Sequence, residues 1–249
     1  WKLPTDPEGL AAMTERQKRS TDTVLTLLLL VLPLWVLVWS GNLSTGPRLV
    51  DDNQIYMLDR QLADDGLLSV ASDQVRTRVG DMGRLVPVYL GHKLLQVALL
   101  GTNLVAWGIY NGLLGGVTAC LLFWFGRLVR LNVFEAFAFA LIVVLGEQSV
   151  LWWRHLHGEG IGLFLTSAAL LCIPMSTRNA EHARLWRTLF VVVAIGAALS
   201  KESFILLLPA LAFGLMVHTR RIDGGTWRDA VLRNVVPVIV LASVCVVLV

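Results

Sequence analysis

Charged residues are scarce in this chain: Asp, Glu, Lys and Arg make up 16% of it, well below the roughly 25% of a globular domain. Cysteines are scarce too. Cys120, Cys172 and Cys245 all sit in apolar stretches rather than loops, so they read as small packing residues, and no disulfide framework is expected. The net charge is only +3; the basic residues matter through where they sit, and no nucleic-acid partner is expected. No small-residue cleavage site follows the first apolar run, which argues against a signal peptide. What is abundant is apolar surface. Hydrophobic residues form 55% of the chain and the mean hydropathy is +0.66, the composition of an integral membrane protein. The chain starts at Trp1 and stops within an apolar run at Val249, which reads as a piece of a longer protein.

Thr23 to Trp39 is nearly unbroken Leu, Val and Trp, long enough at about 1.5 Å per residue to cross most of a hydrocarbon core of about 30 Å. Further apolar runs cover Asn103 to Phe125, Val133 to Leu151, Ile161 to Ile173, Thr188 to Leu199, Phe204 to Val217 and Val235 to Val249. If each crosses, there are seven spans, all helical because helices satisfy their own backbone in lipid. The fifth, about a dozen residues before Ser200, is short for a crossing and is expected to tilt or to form a re-entrant hairpin.

Charge orients the bundle. Arg16, Lys18 and Arg19 precede the first span, which puts residues 1–22 on the cytoplasmic side. The turns that then face the cytoplasm carry Arg127 and Arg130; Arg178, Arg184 and Arg187; and Arg220, Arg221, Arg228 and Arg233. The opposite face receives the loop 41–102, the turn from Arg154 to Glu159 and the Lys201-Glu202 turn. In that loop, Asn42 to Pro47 is turn-rich, and Gln54 to Leu62 carries Ile55, Leu58 and Leu62 at helical spacing beside Asp59 and Arg60. This predicts a short amphipathic helix on the membrane surface. A second amphipathic element, Leu85 to Leu100, leads into the next span. Asn42-Leu43-Ser44 matches a glycosylation sequon, but nothing indicates a eukaryotic source, and a bacterial inner membrane fits better than the endoplasmic reticulum.

Polar groups gathered on that outer face are the candidates for chemistry. Asp51-Asp52 could cap the surface helix; alternatively, adjacent carboxylates raise one another's proton affinity and suit proton abstraction from a hydroxyl. Arg84, His92 and Lys93 could simply snorkel to headgroups, or bind a phosphate. Trp152, Trp153, Arg154, His155, His157 and Glu159 follow one another closely. Tryptophans there are ordinary interfacial anchors. The alternation of His155, His157 and Glu159 lacks the spacing-four pair of a helical metal site, so hydrogen bonding to sugar or phosphate is the less demanding role. Lys201-Glu202 could be an interfacial ion pair.

In order and content these strings resemble the glycosyltransferase C superfamily, whose members include the protein O-mannosyltransferases and tetratricopeptide-bearing relatives. An acidic pair follows the first span. A Gly-Arg-x-x-Pro-x-Tyr stretch is formed by Gly83, Arg84, Pro87 and Tyr89; Val150 and Trp152 precede an acidic Glu159; Ser200, Lys201 and Glu202 precede Pro209. The resemblance spans about Thr23 to Val217. It implies an all-helical membrane module with two helices lying along the membrane in the first outer loop. The implied activity is transfer of a sugar, with inversion, from a polyprenyl-phosphate carrier to an acceptor hydroxyl of a glycan, lipid or protein. It also implies Asp51 or Asp52 as base, Asp51 being favoured, and Arg84, Lys93 and Lys201 as ligands of the donor phosphate. His92, Arg154, His157, Glu159 and Glu202 are the candidate substrate contacts. No cofactor is expected; a divalent metal would enter if the carrier were a diphosphate. Departures are Gly146, Glu147 and Gln148, where relatives carry His-Pro and Glu, and Val86, where many have Arg. Two other readings are a transporter or flippase, for which Glu135 is the clearest ionisable residue within a span, and a non-catalytic subunit of a membrane complex.

Overall fold

Backbone groups left bare in hydrocarbon cost several kcal/mol each, so a chain this apolar closes its hydrogen bonds within each segment. The computed structural model describes residues 7–43, 53–81, 84–146, 152, 158–178 and 181–248, and among them every regular element is helical. Helix α1 (Pro7–Trp39) is followed by α2 (Asn53–Asp65), α3 (Leu67–Arg76), one π-helical turn (Thr77–Asp81) and α4 (Pro87–Leu100). Then come α5 (Leu104–Leu128), α6 (Val133–Leu145), α7 (Gly158–Arg178) and α8 (Ala183–Ala198). A 3-10 helix (Glu202–Leu207) opens into α9 (Leu208–Asp223), and α10 (Trp227–Arg233) and α11 (Val235–Leu248) complete the series.

Fewer of these can cross a bilayer than the seven apolar runs suggest. By length and composition, four stretches among the described residues qualify: Gln17–Trp39, Leu104–Leu128, Gly158–Arg178 and Glu202–Ile222. A fifth is possible if α10 and α11, bent by 74°, act as one broken span. Helices α6 and α8 have 13 and 16 residues, roughly 20 and 24 Å of helix against a core of about 30 Å. Among the described residues the apolar runs outnumber the helices long enough to cross, because hydrophobicity says that a segment avoids water, not that it reaches across. Large apolar side chains of α1, among them Leu27, Val31, Trp35 and Val38, point outward and are more than half exposed, as a lipid-facing helix requires.

Helix α5 is central, packing against α1, α6 and α7, while α7 pairs in turn with α8. A glycine seam sets its distance from α1. Gly108, Gly112 and Gly116 recur every four residues, and a Cβ on Gly116 would lie 2.3 Å from the Leu30 carbonyl oxygen. Small residues at this spacing let two backbones touch, which is how helices associate where lipid removes the hydrophobic drive. On its neighbouring face, Gly115 leaves room for the buried Trp152 ring. Helices α2, α3 and α4 build a separate small core with the start of α5: Ile55, Leu58, Val70, Leu94, Val97 and Trp107 bury one another. Ile55 and Leu58, on the apolar face of the expected amphipathic helix, turn inward onto α3, α4 and the start of α5.

The basic end of the bundle is closed by two devices. Arg127 reaches Asp22 of α1 through a fork, Nε to Oδ1 at 3.0 Å and Nη2 to Oδ2 at 3.3 Å, and donates a third bond to the Leu131 carbonyl. Removing one partner of a largely buried pair strands the other charge. Asp22→Ala is therefore expected to cost about 2–3 kcal/mol, read from thermal unfolding in detergent. Just beyond, α5 ends in a Schellman turn: Leu131 N–H donates to the Gly126 carbonyl and Arg130 N–H to that of Arg127. The left-handed position of such a turn is usually glycine, yet here it is Arg130, with φ of 76°. Arg130→Gly should raise stability by about 1 kcal/mol in the same measurement. Glu135 has a local role. It accepts from Asn132 N–H at 2.8 Å while the Asn132 side chain accepts from Phe134 and Glu135 N–H, a capping box at the helix end rather than an ionisable group at mid-span.

Candidate functional site

Pro87 supplies the first residue of α4, where a missing N–H costs nothing. The next donor, Val88 N–H, has no partner within the helix and is satisfied 3.2 Å away by the Leu199 carbonyl just past the end of α8. This bond fastens the outer helices to the turn that carries Lys201 and Glu202. Helix α7 arrives on the same spot. Its first residue, Gly158, would meet the Ser200 carbonyl at 2.9 Å and the Tyr89 ring at 3.2 Å if it had a Cβ, and Gly162 would meet Phe204 at 2.4 Å. Glycine at these two positions is what lets three backbone segments converge.

Where they converge lies a cleft of about 310 Å³ lined by Gln54, Arg78, Arg84, Val86, Tyr89, Gly158, Glu159, Ser200, Lys201 and Glu202. Four of its charged side chains are already paired. Lys201 is bonded to Glu159, and Arg84 Nε stands 3.6 Å from Glu202 Oε1. Glu159 is in the first turn of α7, where the helix dipole favours a carboxylate. Arg78 adds a third cation: its guanidinium carbon is 5.8 Å from the Tyr89 ring centroid, and its carbonyl accepts from Arg84 N–H at 2.9 Å. Three cations and two carboxylates leave the cleft with one net positive charge. The Arg84 pair is long and its side chains are 59% and 44% exposed, so water screens it and an entering anion can replace the carboxylate at little cost.

Of the expected phosphate ligands, Arg84 and Lys201 line this cleft and Lys93 does not. Lys93 is buried, donates to Gln54 Oε1 at 2.9 Å, and lies 5.9 Å from the Tyr89 ring centroid. It contacts two lining residues, Gln54 and Tyr89, without lining the cleft itself. Of the expected substrate contacts, Glu159 and Glu202 are in the cleft, whereas His92 turns to α5, its Nε2 2.7 Å from the Tyr110 hydroxyl. His92 does not belong to a cationic set, because burial pushes its imidazole down to about 4. The sign follows from linkage. With the folded pKa below the ordinary 6.5, the unfolded chain binds the extra proton, so this contribution is complete above pH 6.5 and is lost as pH falls toward 4. The loss amounts to roughly 2–3 kcal/mol. His92→Gln is therefore expected to flatten the fall in melting temperature between pH 6.5 and 4.

Asp51, Asp52, Arg154 and His157 lie outside the described residues, as do Gly83 and His155. Gln54, which follows Asp52 by two positions, lines the cleft. Among the described residues no three His, Cys, Asp or Glu side chains group as a metal site requires. Sequence reading missed Arg78 and Gln54. Nothing in their neighbours singles them out, although Arg78 falls in the π-helical turn, a rare conformation that recurs at functional sites. The Gly158-Glu159-Gly160-Ile161-Gly162 string was a usable signal, since closely spaced glycines mark close backbone approach. Comparison with protein-family models, with curated proteins and with solved structures found no match to this chain.

Proposed function

We propose that this protein is a membrane glycosyltransferase that moves a sugar from a polyprenyl-phosphate carrier to an acceptor hydroxyl at the extracytoplasmic face. The observation that carries the reading is the cleft itself. Arg84, Glu159, Lys201 and Glu202 come from three segments far apart in the chain, each identified by its own short string, and they meet in one cavity with a net positive charge. A phosphate leaving group needs such a site: cations held in place before the reaction, in a partly desolvated cleft, stabilise the charge that develops on the departing oxygen.

In the proposed step, Asp51 takes the proton of the acceptor hydroxyl and the freed oxygen pair attacks the anomeric carbon. The bond from that carbon to the carrier phosphate oxygen breaks with inversion, and its electrons leave on the phosphate, which Lys201 and Arg84 hold. Asp52 is the alternative base. The outer helices would then lie along the membrane, keeping the carrier's phosphate at the level of the cleft while its chain stays in lipid. The acceptor is a glycan, lipid or protein. Replacing Asp51 and Asp52 singly by Asn tests the assignment. Sugar transfer from a short-chain polyprenyl-phosphate donor should drop at least a hundredfold in one of the two, and full activity in both variants would sink it.

A further inference from the structure

A second cavity, larger than the cleft at about 540 Å³, lies toward the opposite end of α7. Glu159 lines one and Ile173 the other, and 14 intervening helical steps separate them by roughly 21 Å. The space is walled by Phe125, Leu128, Leu170, Ile173, Val217 and Ile222, and its polar lining is Arg130, His218 and Arg221, of which the two arginines reach solvent. His218 is engaged, its Nε2 3.0 Å from the Thr177 hydroxyl. Arg130 and Arg221 are exposed and have no acidic partner among the described residues. An apolar slot with two uncompensated guanidinium groups at its mouth selects a molecule with an anionic head and an apolar tail, and a soluble anion would leave the slot unfilled. A separate observation also singles out Arg130. It holds the left-handed position of the Schellman turn, where the backbone favours glycine, so an arginine is kept there against local preference.

We propose that this cavity binds an anionic phospholipid of the adjoining leaflet. Its phosphate sits between Arg130 and Arg221, and one acyl chain lies along Leu128, Leu170, Ile173 and Val217. The same end of the bundle carries the arginines of the other basic turns, which places it against the anionic cytoplasmic surface. The proposal does not depend on the glycosyltransferase reading.

The test is native mass spectrometry of the full chain in detergent, titrated with phosphatidylglycerol, phosphatidylcholine or inorganic phosphate. Phosphatidylglycerol should be retained at least tenfold better than phosphatidylcholine. The double variant Arg130→Gly with Arg221→Gln should lose that preference, glycine at 130 keeping the turn intact. Gly214→Leu should weaken retention while leaving both arginines in place, because a Cβ there meets only Ile173 Cδ1, at 3.6 Å, and the rest of the side chain extends into the cavity. Arg184→Gln, at the same end but outside the lining, should bind like the parent. Equal retention of the two lipids, undiminished retention in the double variant, or displacement of the lipid by millimolar inorganic phosphate overturns the proposal. Should the double variant fail to fold, Gly214→Leu decides alone.

Discussion

Lys201→Met is expected to lower sugar transfer by a factor of about 10² to 10³, the usual consequence of removing one pre-positioned charge from a developing anion. The ammonium is paired with Glu159 yet its side chain remains 39% exposed, so a phosphate can reach it from the open side. Methionine keeps most of the side-chain volume and removes the charge. The cleft then holds two cations against two carboxylates, and Glu159 loses its partner and repels the donor. Because the lost interaction strengthens as the carbon–oxygen bond breaks, the deficit should fall mainly on kcat rather than KM. Lys201→Arg should recover part of it by keeping the charge, while Glu159→Gln, which frees the ammonium, should tighten donor binding. A Lys201→Met protein that melts like the parent and transfers sugar within threefold of it would remove this residue from the proposed machinery.

The second large effect concerns the seam between α1 and α5. Gly116→Ala is expected to destabilise by about 3 kcal/mol or more, and Gly116→Leu to prevent accumulation of folded protein. The added Cβ would fall 2.3 Å from the Leu30 carbonyl oxygen, a backbone atom that cannot rotate away as a side chain would. Relief requires the two helices to separate, which would also disturb the Asp22 to Arg127 fork and the packing of Leu29 against Ala119, Leu122 and Phe123. Gly115→Ala is the contrasting case: its Cβ would come 3.1 Å from the Trp152 ring, a contact that a small shift of the indole relieves at a cost nearer 1 kcal/mol. Comparable melting temperatures for Gly116→Ala and the parent would show that the helices do not approach this closely.

The helical class and the long apolar segments were legible in the sequence because each rests on composition summed over about twenty residues, where single exceptions average out. The end of α1, the start of α5 and the position of α4 follow from the same sums. The number of crossings was legible in part: the shortness of α8, which ends at the Leu199–Ser200 turn, was expected, whereas α6 is as apolar as a span yet has only 13 residues among those described. The inward direction of Ile55 and Leu58 was also hidden, because helical spacing shows that a face is apolar without saying whether lipid or protein covers it. At the cleft, Arg84, Glu159, Lys201 and Glu202 were recoverable as charges displaced from water. Lys93 and His92 were misplaced for one reason. Each turns to a partner supplied by another helix, His92 to Tyr110 and Lys93 to Gln54, which charge and spacing do not show. Gln54 and Arg78 could be found only through the fold that brings them in.

The Val88 to Leu199 bond joins two residues about 111 positions apart, and Arg84 faces Glu202 across a similar interval. Chains emerge from the ribosome at about 5–20 residues per second, so the first wall of the cleft is made roughly 6 to 20 seconds before the second. During that interval Arg84 has no Glu202 to face and Val88 N–H has no carbonyl to bind. Until then helices α2, α3 and α4 have only their own small core around Trp107 to hold them, and the cleft cannot be completed before Glu202 has emerged.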